Sequence, residues 1–256
     1  MSSPSTRASV RSVSLTALCV AGVLFGQGRG GQTQSARGAA PVDFSGYWVS
    51  VVTEDWRYRM VTPAKGDYPS IPLNPEGRKV ADAWDPAKDE AAGEQCKSYG
   101  AANIMRQPGR VHITWEDDAS LRIDTDAGTQ TRLLHFGSTP APGGTPSWQG
   151  NSTAQWEFPG AGGRRGATAR PPGGSLKVVT TQMRSGYLQK NGVPYSINAA
   201  LTEYFHRTEE PNGDVWMIIT TIVEDPRYLT GPFLRSTNFK KEADGSRWDP
   251  TPCEER

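Results

Sequence analysis

Between Ala199 and Arg207 the chain reads AALTEYFHR, and the alternation of a strand puts Leu201, Glu203 and Phe205 on one face and Thr202, Tyr204 and His206 on the other. A carboxylate flanked by Leu and Phe is unusual if that face is the interior. Burial there raises a carboxyl pKa and suits it to general acid or base work, with Tyr204 and His206 on the neighbouring face as further candidates. The competing reading is that Glu203 meets an arginine or faces water, because charged side chains are seldom buried unpaired.

A second constellation is Glu54-Asp55-Trp56-Arg57-Tyr58-Arg59-Met60. Trp56, Tyr58 and Met60 alternate with Asp55, Arg57 and Arg59. Two readings stay open. One is a strand at the mouth of a pocket, with Trp56 and Tyr58 lining it and Arg57 and Arg59 orienting an anionic ligand. The other is an amphipathic edge strand.

The three histidines are His112, His135 and His206. Turns at Asp117-Asp118 and Asp126-Ala127-Gly128 would set His112 near Ile123 and His135 near Ala119 or Ser120. That separates the two by about 15 Å, too far to share a metal. With no HxH or HExxH spacing, no metal is expected. There is no G-x-S-x-G elbow, P-loop or dinucleotide fingerprint, and no cofactor is expected.

The elements that must position these groups are short strands. Twenty-three aromatic residues, 28 Gly and 20 Pro against a hydrophobic fraction of 36% favour strands and turns over long helices. Tyr47, Val49 and Val51 alternate in a first strand. Asn74-Pro75 and Asp85-Pro86 each place a capping side chain before a proline, which predicts helices near 75–84 and 86–93. Strands follow at 110–116, 119–125, 129–136 and 153–158. Residues 159–174 are a Gly-, Pro- and Arg-rich loop, and further strands fall at 175–184, around 198–206, at 215–223 and at 232–241. About nine or ten sequential strands without βαβ alternation predict an all-β, antiparallel meander, closed into a barrel or folded into a sandwich.

The first forty residues read as an export leader and arm. Arg7 and Arg11 precede an apolar run at 13–26, and a cleavage site near Gly26-Gln27-Gly28 follows. The expected organisation is a signal peptide at 1–28, a disordered arm at 29–41 and a single β domain at 42–256. The destination would be the periplasm or the extracellular space, with no membrane insertion once the leader is removed. Residues 1–40 hold four arginines and no acid, which leaves 24 basic and 27 acidic side chains beyond them. That balance gives no reason to expect a nucleic-acid partner. Cys19 leaves with the leader, and Cys96 and Cys253 remain as an even pair that would form a disulfide in an oxidising compartment.

Gly46-Tyr47-Trp48 on strand one of such a chain resembles the opening motif of the lipocalins and the broader calycins. The resemblance implies a barrel of about 8–10 strands, here with two short helices after strand one. It implies that Trp48 packs across the barrel's closed end with a basic side chain of the last strand stacked on it. Arg235 is the matching candidate for that cation. The functional expectation is an exported lipocalin-like barrel that binds a small, mostly apolar ligand. The alternative is an enzyme of isomerase, cyclase or hydrolase type on the same barrel, with Glu203 as general acid or base.

Overall fold

In the computed structural model of the protein, residues 1–2, 34–137, 145–159 and 173–254 are described, and the chain from Gln34 onward forms one compact unit. The leader read at 1–28 falls outside the described residues but for its first two, as does most of the loop read at 159–174.

Nine strands close into a barrel in the order β1-β11-β10-β9-β6-β5-β4-β3-β2. They are β1 Gly46–Val51, β2 Arg110–Asp117, β3 Ser120–Thr125, β4 Gln130–Phe136, β5 Asn151–Glu157, β6 Ser175–Thr181, β9 Ala200–Glu209, β10 Val215–Glu224 and β11 Phe233–Lys241. The order is not a simple meander. A ring in which every neighbour is antiparallel needs an even number of strands, so nine strands require a parallel pair. That pair is β4 and β5. Parallel neighbours cannot be joined by a tight turn, so the connection between β4 and β5 must be a longer crossover. A second departure is the hairpin β7 Gly186–Gln189 and β8 Val193–Tyr195, which is inserted between β6 and β9 and pairs only with itself.

Hairpin β2–β3 turns at Asp117-Asp118 as expected, but its register shifts between Trp115 and Asp117. One extra residue on β2 places His112 opposite Asp124 rather than near Ile123. His135 lies opposite Ser120, as expected.

The helices gather at one end of the barrel. They are α1 Trp56–Arg59, α2 Pro75–Asp82, α3 Pro86–Ala91 and α4 Ala101–Ile104, with a 3-10 turn at Gln95–Tyr99. The two Pro-started helices form where expected. The Asn74 side chain accepts the Gly77 N–H at 2.8 Å, and that of Asp85 accepts the Ala87 N–H at 3.2 Å. Asn74 also donates through Nδ2 to the Arg227 carbonyl at 2.8 Å, which ties α2 to the loop after β10. Asn74→Ala is expected to cost about 1–2 kcal/mol, read from urea unfolding, because it removes a cap and a tertiary hydrogen bond together. A variant as stable as the parent would refute both roles.

There are two cores. One fills the barrel with Trp48, Val111, Ile113, Leu121, Ile123, Leu134 and the inward residues of the remaining strands. The other joins the helical cap to the barrel end through Tyr68, Ala81, Leu188, Val193, Tyr195, Leu201 and Phe233. The opposite end is closed by aromatic side chains. Phe136 lies 5.1 Å from Trp156 and 5.7 Å from Trp115, and Phe44 stacks on Trp156 at 6.3 Å, between ring centroids. Residues 34–41, expected to belong to a disordered arm, instead form a hydrogen-bonded turn beside this plug. Ala36 accepts the Trp156 indole N–H at 2.8 Å, and Arg37 N–H donates to Asp118. The aromatic end offers these polar anchors, which composition alone does not reveal. Among the described residues, no helix is long and apolar enough to cross a membrane.

The disulfide between Cys96 and Cys253 is present and holds the C-terminal tail on the cap. Thr251 N–H donates to Asp126, and Thr129 Oγ1 donates to the Thr251 carbonyl, so the tail also runs along the β3–β4 turn.

Candidate functional site

The interior face of β9 is Leu201, Glu203 and Phe205, all fully or almost fully buried. Glu203 is inside, and it meets an arginine. Arg132 on β4 reaches across the barrel, with Nη2 2.6 Å from Glu203 Oε2 and Nη1 3.2 Å from Oε1. Both side chains are 0% exposed. Arg132 Nη2 also approaches Thr180 Oγ1 at 3.4 Å, and Ser152 and Thr180 share a 2.8 Å hydrogen bond beside it. The polar belt is incompletely satisfied: Arg132 Nε, Thr221 Oγ1 and Thr237 Oγ1 have no partner. A side chain without accessible surface borders no space that water can enter. Trp48, Leu134, Val178, Leu201, Glu203, Met217 and Ile219 all have none, so the middle of the barrel is packed solid around the pair.

Tyr204 and His206 emerge on the outer face, away from Glu203. Tyr204 carries Lys177 over its ring at 5.6 Å, and His206 is exposed. The three candidates therefore form no common site. Arg132 is the residue that the sequence reading missed. The same alternation that paired Glu203 with Leu201 and Phe205 puts Arg132 with Leu134 and Phe136. An Arg and a Glu on two otherwise apolar strand faces were the available signal.

The motif on β1 has a physical basis. Trp48 is fully buried and donates its indole N–H to the Phe44 carbonyl at 2.8 Å. Gly46 adopts φ +114°, and a Cβ there would lie 3.2 Å from Lys241 Cε. The glycine thus leaves room for the lysine stem, and Lys241 Nζ sits 5.5 Å above the Trp48 ring. The cation over Trp48 is therefore Lys241 and not Arg235. Register decides this, since β11 pairs Lys241 with Trp48, and Arg235 lies six residues back, about 20 Å along the strand.

Arg235 instead joins a cluster at the capped end. The segment Trp56–Arg59 is a single helical turn and not a strand. Its N-cap, Asp55, adopts φ 49° and makes no side-chain capping bond. Its carboxylate serves arginines instead: Arg106 at 3.4 Å and Arg235 at 2.8 Å. The helical twist then splits the four predicted ligand residues. Trp56 is 64% exposed, and Arg57 points outward to Asp67 at 2.8 Å. Tyr58 and Arg59 turn inward and line a small pocket together with Asn103, Arg106, Gln107 and Gln189. The Arg59 guanidinium pairs with Glu54, and its Nε donates to the Arg106 carbonyl at 2.9 Å. Burial lowers the pKa of Arg59, opposed by Glu54 and Asp55. Burial brings Arg106 down to about 10, with Asp55 opposing and the Arg235 and Arg59 charges adding to the fall.

A larger concavity lies on the other side of the cap. A groove of about 460 Å³ runs along α2 and α3, with Val80, Ala83, Trp84 and Tyr187 as its apolar surface and Lys79, Asp85, Lys88 and Asp89 among its polar groups. Trp84 is held by Gly192, whose φ is +82° and whose Cβ, if present, would lie 2.2 Å from the indole. The Trp84 indole N–H is buried without a partner. Asp89 is braced by Lys97 and by the Tyr187 hydroxyl, each at 2.5 Å. The groove was not foreseen, because it joins helix residues to a hairpin about a hundred positions downstream. Among the described residues, no group of three or more His, Cys, Asp or Glu is placed to hold a metal.

The fold and these sites define a class of protein: a small closed β-barrel with a solid interior and a disulfide-tied helical cap. Comparison of the chain with known family models, with curated proteins and with solved structures finds no match.

Proposed function

We propose that the protein is an exported, lipocalin-like binding module that holds its small ligand in the groove on the helical cap. The observation that carries this reading is the groove itself. Its volume lies within the 300–1,000 Å³ range of small-molecule sites, and its surface combines two aromatic rings with a few polar groups. A surface of this kind suits a small ligand that is mostly apolar. The packed barrel then acts as a rigid platform for the cap. Export is supported by the leader pattern and agrees with the Cys96–Cys253 bridge.

The test is fluorescence titration with the neutral apolar probe N-phenyl-1-naphthylamine. Saturable one-to-one binding is expected, weakened about tenfold by Trp84→Ala, which corresponds to about 1.4 kcal/mol. Trp56→Ala serves as a control because that indole lies outside the groove. Equal binding by the parent and the Trp84 variant would refute the assignment.

The enzymatic alternative on Glu203 requires a substrate to reach that carboxylate. With no accessible surface and both oxygens held by Arg132, Glu203 has the surroundings of a structural ion pair.

A further inference from the structure

We propose that the small pocket enclosed by α1, the segment after α4 and strand β7 binds a single halide-sized monoanion. Three observations converge there. First, two lining side chains carry orphaned donors. Arg59 Nη2 and Gln189 Nε2 are buried with no hydrogen-bond partner, and their residues are only 7% and 6% exposed. An unmade bond to a buried cationic donor costs more than one to a neutral donor, so a pair of such groups around one space points to an acceptor that fills it.

Second, the charges do not balance. Among the described residues, Arg59, Arg106 and Arg235 face only Glu54 and Asp55 in this cluster. One bound monoanion would cancel the excess of the three arginines over the two carboxylates. Buried charge without compensation is costly, which favours an ion here over neutral water.

Third, the space is small. Its volume of about 10 Å³ admits one sphere the size of a water molecule. A halide is close to that size, whereas phosphate or sulfate would require the Arg59 and Gln189 side chains to move apart. The pocket is separate from the Trp84 groove and shares no lining residue with it. The inference therefore stands or falls independently of the proposed function.

The experiment uses the oxidised protein in two measurements. Thermal unfolding is followed in sodium chloride, sodium acetate and sodium gluconate at matched ionic strength. The midpoint is expected to rise with chloride and then to level off, by about 5 °C or more when chloride exceeds its dissociation constant about a hundredfold. Gluconate should produce no such rise. Gln189→Leu removes one orphaned donor without touching the Arg59–Glu54 pair. It should fold as stably as the parent in gluconate and lose most of the chloride response. Crystals grown in bromide should show one anomalous peak in contact with Arg59 Nη2 and Gln189 Nε2. A water at that position, with midpoints independent of the anion, would overturn the proposal. So would stabilisation by acetate but not by chloride, which would indicate a carboxylate site instead.

Discussion

Glu203→Gln is expected to destabilise the protein by about 3–5 kcal/mol, the cost of leaving a buried charge uncompensated. The substitution preserves shape and one hydrogen bond but strands Arg132, which has no accessible surface and, among the described residues, no other acid as a partner. Arg132→Met should cost a similar amount by stranding Glu203. The double variant Arg132→Met/Glu203→Leu should recover most of the loss and could exceed the parent, since packed apolar side chains replace a desolvated pair. Urea unfolding of the parent, Arg132→Met, Glu203→Leu and the double variant closes the cycle, with Glu203→Gln measured beside it. Independent, additive losses would show that the contact contributes no coupling. A Glu203→Gln loss below about 1 kcal/mol would show that the site is wetter than the structure indicates. The cycle also bears on function: recovery of both stability and probe binding in the double variant would leave Glu203 no role beyond the fold.

Breaking the Cys96–Cys253 bridge is expected to have the second large effect. The bridge closes a loop with a sequence separation of 157, for which the chain-entropy treatment gives about 5 kcal/mol. Removal of native disulfides typically costs about 2–5 kcal/mol, and in a domain of this size that lowers the melting midpoint by about 10 °C. The Cys96→Ser/Cys253→Ser protein should show this fall, and addition of a reductant should not lower its midpoint further. Thiol titration of the denatured, unreduced protein from residue 29 onward should find no free thiol. The tail has other anchors, at Asp126, Thr129 and Tyr99, and a midpoint unchanged by loss of the bridge would mean that these suffice.

These expectations rest on features of differing legibility in the chain. Strand positions were legible because alternation and turn chemistry are local: Asp117-Asp118 and Asp126-Ala127-Gly128 both turn where those residues predict. The helices α2 and α3 were legible for the same reason, since a cap followed by Pro is a signal contained in two residues. The segment 55–60 misled because it alternates like a strand, yet Asp55 in a left-handed conformation starts a helical turn there. That conformation is stabilised by Arg106 and Arg235, which lie 51 and 180 positions away. No local pattern contains such information.

The sequence by itself determined the class of fold, the number and place of most strands, the two Pro-capped helices and the pairing of the two cysteines that follow residue 40. Each follows from periodicity, from backbone constraints at Pro and Gly, or from counting. Tertiary structure alone decided the parallel β4–β5 closure, the one-residue shift at His112, the choice of Lys241 over Arg235 above Trp48, and the partner of Glu203. It also brought Trp84 beside Tyr187 and Arg59 beside Gln189. These outcomes depend on register and on contacts between distant segments. A shift of one residue along a strand reverses which face a side chain occupies, and composition carries no record of that choice.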